Sequence, residues 1–101
     1  MEKNNTNELN IFSQISFRII MEQANIVGSL AWDEAFKVPG LHIINKQKGE
    51  FAFDGNAKDV LDNLVLQYEK LFGKLSHEVS RESVQDLIAE LPEADIPSSL
   101  K

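Results

Sequence analysis

Tyr68-Glu69-Lys70-Leu71-Phe72-Gly73-Lys74-Leu75-Ser76-His77-Glu78 decides the fold, because Gly73 interrupts what would otherwise be one amphipathic rod from Asn56 to Leu91. Before the glycine, Val60, Leu61, Leu64, Val65, Tyr68, Leu71 and Phe72 recur at helical spacing; after it, Val84, Leu87, Ile88 and Leu91 do the same. Glycine takes the left-handed conformation that commonly ends a helix, so Gly73 predicts a stop, with a restart capped by Ser76. The two helices then fold back as an antiparallel pair, burying Leu61, Leu64, Tyr68 and Leu71 against Val84, Leu87 and Leu91. Asn56 is the expected N-cap of the first, with Asp59 placed where its charge suits the helix dipole.

Upstream, Phe12, Ile15, Ile19, Ala24, Ile26, Val27, Leu30, Ala31 and Ala35 form a broad helical stripe, which predicts one long helix from about Ile11 to Phe36. The alternation of Ile15, Phe17, Ile19 and Met21 also suits a strand, but no turn signal separates it from the helical stretch beyond Met21. Gly28 then lies inside the helix, at a cost of about 1 kcal/mol relative to alanine, and a close helix–helix approach is its expected reason. Phe17, Ile20 and Trp32 lie off the main stripe, so this helix needs cover from several directions, which suggests a partner or a second copy.

Val38-Pro39-Gly40 ends that helix. Leu41-His42-Ile43-Ile44 and Glu50-Phe51-Ala52-Phe53, separated by a polar loop containing Gly49, predict a β-hairpin over about 41–53 that packs on the helices through Phe51 and Phe53. The expected fold is α+β and mostly helical: a long helix, a two-stranded antiparallel hairpin, then the helical pair. The domain spans 11–91, preceded by a flexible arm over 1–10 and followed by an irregular tail over 92–101, since Pro92 and Pro97 forbid regular structure there.

A chain of 101 residues with 43% hydrophobic content suits one self-sufficient domain. It has no cysteine, which removes thiol chemistry and disulfides and fits a reducing compartment. Ten basic residues against sixteen acidic ones give a net charge of −6, with the basic ones scattered. Phosphate binding needs a concentrated positive face, so nucleic acid and anionic membrane surfaces are not expected partners. No run approaches the roughly 18 apolar residues of a membrane span, and the start lacks a basic-then-apolar leader, so the expected location is cytoplasmic.

Ser76-His77-Glu78 is the sharpest chemical motif: an imidazole nitrogen can act as a nucleophile while a neighbouring carboxylate orients its proton. With Val79 it resembles the start of the phosphoacceptor box of sensor histidine kinases, and the resemblance implies phosphotransfer at His77 assisted by Glu78. Ser80-Arg81-Glu82 departs from the Arg, Thr and Pro that come next in that family, and no nucleotide-binding segment accompanies it. The oxygen and nitrogen ligands on offer, including His42, Glu50 and Asp54, have no metal-binding spacing, and Asp54-Gly55-Asn56 is explained by capping, so neither metal nor cofactor is expected. The remaining enzyme signatures are absent. The expectation is therefore a non-enzymatic interaction or regulatory module of a bacterial signalling system, acting as a homodimer or docked on a partner protein. Phosphotransfer through His77 is the alternative, and a small-ligand sensor lined by Trp32, Phe36, Phe51 and Phe53 is a second; Phe17 and Ile20 join those four as candidate interaction residues.

Overall fold

Gly28 and Gly73 both adopt left-handed backbone, with φ of +72° and +91°, and each ends a helix. In the computed structural model, which describes residues 3–101 with side chains from Ile11 onward, these two turns lie at the ends of helices that pack together. Helix α1 spans Lys3–Val27 and helix α2 spans Leu30–Phe36, so the single helix expected over 11–36 is in fact two. The Gly28 N–H still donates to the Ala24 carbonyl at 2.8 Å, closing the last turn of α1 before the chain reverses. A Cβ at Gly28 would meet nothing within 4 Å, so close approach does not account for this residue; its positive φ does. Of the arm expected over 1–10, Met1, Glu2 and all the side chains lie outside the described residues, while the backbone from Lys3 is helical.

Strands β1 (Leu41–Asn45) and β2 (Glu50–Phe53) form the expected antiparallel hairpin, pairing Leu41 with Phe53 and Ile43 with Phe51. The register slips between Ile43 and Asn45. Phe51 stacks on Trp32, and Phe53 meets Phe12 of α1 edge-on, so the hairpin's apolar face closes one side of the helical layer.

Helix α3 spans Ala57–Phe72, capped by Asn56, whose side chain accepts from the Lys58 N–H. Helix α4 runs Lys74–Ser83 directly after Gly73, which lies three residues before the expected cap, and Ser76 does not cap it. Instead Ser76 is buried and turned toward Gln23 of α1. The last helix is also shorter than its periodicity suggests, because the chain breaks at Val84 before a single turn, α5, at Gln85–Ile88. The break has a local and a distant cause: the Ser83 hydroxyl donates to the Ser80 carbonyl, and the Arg18 guanidinium occupies the Ser83 carbonyl at 2.9 Å. Val84, Leu87 and Leu91 are buried in the same core as Leu61, Leu64 and Tyr68, but α5 packs chiefly on α1 rather than on α3 as expected, and Leu71 is exposed.

The core joins Ile15, Ile19 and Ile20 of α1 to Ala31 and Trp32 of α2, to Leu61, Leu64, Val65 and Tyr68 of α3, and to Leu100 near the C-terminus. Tyr68 is fully buried, and its hydroxyl donates to the Ala31 carbonyl at 2.7 Å, locking α3 to α2. Ile20 and Trp32 are buried, and Phe17 is half-buried across Trp32 and Gly49. The apolar residues off the main stripe of α1 are thus covered within the one chain, and they do not demand a second copy.

The segment after Leu91 carries two single 3₁₀ turns, Glu93–Asp95 and Ser98–Leu100, and packs onto α3 and α4. Leu100 is 0% exposed, a burial that contributes about 1.5–3 kcal/mol. Among the described residues, no helix is long and apolar enough to cross a membrane.

Candidate functional site

Gln23 lies on the apolar stripe of α1, and its amide is buried. Such a group is costly unless paired, and here it is fully used: Nε2 donates to the Ser76 carbonyl and to Ser80 Oγ, while Oε1 accepts from Ser76 Oγ. This trio fixes the register of α1 against α4. Sequence reasoning misses Gln23, because a long polar residue on a helix ordinarily reads as surface.

Above that register lies a groove lined by Gln23, Ile26 and Val27 from α1, Phe72 from α3, and Leu75, Ser76 and Val79 from α4. Its walls are mainly apolar, yet Ile26 is 62% exposed and Leu75 77% exposed. Val79 also lines an adjoining cleft whose other walls are Glu22, Glu82 and Ser83. The same α1–α4 seam is therefore apolar at the Gly28 and Gly73 end and acidic farther along. Leu30 and Leu71, on the helices held together by Tyr68 and Ala31, add exposed apolar surface near the first end.

His77 sits in the first turns of α4, half-buried, with both ring nitrogens engaged. Nδ1 lies 2.9 Å from Glu69 Oε1, and Nε2 lies 2.6 Å from the Ser99 carbonyl oxygen. Both neighbours offer acceptor oxygens, so a ring nitrogen that carries hydrogen donates to Glu69 or to Ser99. Asp62 Oδ1 accepts from the Ser99 N–H and hydroxyl, and the Lys58 ammonium donates to the Ala94 carbonyl. His77 thus fastens the C-terminal segment to α3. The acid beside it is Glu69, not Glu78, which pairs with Arg81 at 3.0 Å. Nucleophilic use of His77 would first require release of that segment.

The aromatic residues expected to line a ligand pocket do not converge. Trp32, 6% exposed, lies parallel to Phe51 with ring centres 6.5 Å apart, and Phe53 packs on Phe12, but Phe36 is 62% exposed and belongs to no such cluster. What remains open is a shallow cleft over Phe17, Met21 and Trp32, where the Lys46 ammonium lies 5.0 Å from the indole centre.

Two carboxylates are held below their ordinary range. The Gln67 amide and then Lys37 hold Glu34 there, and the Arg18 guanidinium does so for Asp86. Burial, reinforced by the Glu34 carboxylate, pushes the Tyr68 hydroxyl well above the usual phenol value. Among the described residues, no group of three or more His, Asp or Glu side chains converges as metal ligands would, and the exposed His42 pairs with Asp54 at 3.0 Å.

No family model matches this chain, and no curated protein or solved structure matches it.

Proposed function

We propose that the chain is a non-enzymatic interaction module of a cytoplasmic signalling system, and that it docks a partner through the α1–α4 groove. The observation that carries this reading is the exposure of Ile26 and Leu75 on a groove with apolar walls, over a buried polar network that fixes its two helices. A soluble domain rarely leaves large aliphatic side chains this bare around a shaped depression without a use for them. The phosphotransfer reading lacks such support, because a nucleophilic imidazole needs a free ring lone pair and acceptors face both nitrogens of His77.

The test is the native size of the protein in extracts of the cells that make it, for wild type and Leu75→Asp. Leu75 is an exposed side chain, so the variant folds with an unchanged melting temperature. A wild-type complex larger than the monomer that disappears in the variant supports the reading. A monomer in both, or a complex indifferent to position 75, contradicts it.

A further inference from the structure

We infer that the occupant of the α1–α4 groove is an amphipathic helix of a partner protein, with an apolar ridge flanked by basic residues, rather than a second copy of this chain. This inference rests on the docking reading above and adds the chemistry of the partner.

Shape comes first. The apolar groove is a cleft of about 100 Å³ between two packed helices, bounded by Ile26, Phe72, Leu75 and Val79. It suits one or two projecting aliphatic side chains, the anchors that a helix presents at i and i+3 or i+4.

Charge then selects the kind of helix. Past Val79 the seam carries Glu22 and Glu82. The nearby guanidinium groups are already committed, Arg81 to Glu78 and Arg18 to Asp86, and among the described residues neither Glu22 nor Glu82 has a basic partner. Lys74 stands beside Leu75 at the opposite, apolar end, so the basic residues of the partner belong at the Val79 end of its helix. A second copy carries the same net charge of −6 and meets long-range repulsion, whereas a basic helix is drawn to this end.

The experiment is an NMR titration of the full chain with two synthetic helices that share a leucine ridge, one flanked by lysines and one by glutamates. The lysine helix should shift amides around Ile26, Leu75 and Val79, and its affinity should fall as salt rises. Leu75→Asp should weaken it at least about tenfold, as loss of an anchor does. Glu22→Lys combined with Glu82→Lys should turn the preference toward the glutamate helix. Equal binding of both helices at the groove would overturn the charge inference and leave the docking reading standing. Shifts that are absent, or scattered away from the groove, would overturn both. Concentration-dependent self-association abolished by Leu75→Asp would replace the basic helix with a second copy.

Discussion

The Nε2 nitrogen of His77 lies 2.6 Å from the carbonyl oxygen of Ser99, and that contact ties the last residues of the chain to the helical core. The same backbone unit is gripped from the other side by Asp62, so Ser99 is held through its N–H, its hydroxyl and its carbonyl. Leu100 comes next in the chain and is fully buried.

His77→Ala should therefore act on the C-terminal segment before anything else. Removing a donor to a half-buried carbonyl costs about 1–3 kcal/mol, and Leu100→Ala should cost about 2–5 kcal/mol by leaving a cavity. Hydrogen exchange checks the order of events: in the histidine variant the amides of Ser99 and Leu100 exchange faster, while those of α1 keep their protection. Uniformly faster exchange across the chain would contradict a clasp confined to the C-terminal segment.

Gly28→Ala and Gly28→Leu should destabilise the protein equally, each by about 1–2 kcal/mol, because the penalty comes from the positive φ and not from crowding. Chemical denaturation of both variants tests this. A leucine variant markedly worse than the alanine variant would restore the close-packing explanation.

Gln23→Ala strips three hydrogen bonds from a buried network and leaves the hydroxyls of Ser76 and Ser80 without it. The expected loss is about 1–3 kcal/mol. Replacing Gln23, Ser76 and Ser80 together by apolar residues of similar size should cost less than that single change, since no buried polar group is then stranded. Denaturation midpoints of the two variants decide this.

The pH response should be set at its alkaline end by Tyr68. Its hydroxyl titrates higher in the folded chain than in the unfolded one, where tyrosine titrates near ~10. The stability it contributes is complete below that value and is lost as pH rises past it. Alkaline unfolding should accompany ionisation of the phenol, seen in ultraviolet absorbance, and Tyr68→Phe should remove the coupling. At the acid end the signs reverse: Glu34 and Asp86 titrate lower when folded, so their contribution is present above roughly pH 4 and fades as pH falls.

Punctuation and periodicity make much of this architecture legible. Gly73 marks a real helix end, the Pro39-Gly40 stop and the spacing of Phe51 and Phe53 mark the hairpin, and Asn56 marks a real cap. The features that escape the sequence depend on distant partners. A glycine in a periodic stretch can be a tolerated interior residue or a terminator, and Gly28 is resolved only by its backbone angle. The break at Val84 depends on Arg18, 65 residues from the carbonyl it occupies. The C-terminal segment reads as irregular because its anchors, Lys58, Asp62 and His77, are polar residues with no mutual spacing. The groove is only partly visible: Phe17, Ile20 and Trp32 stand out by position but serve the core, whereas Ile26 and Leu75 are ordinary members of their helices and become notable only once exposed.

The claim that the groove is the working surface is tested most directly by a photo-crosslinking residue placed singly at Leu75, and for comparison at Ile44, in the cells that make the protein. Both positions are highly exposed, and only Leu75 lines the groove. One discrete adduct should form from position 75, competed away by the lysine-flanked helix, and none from position 44. Equal adducts from both positions, or none from position 75, would contradict it.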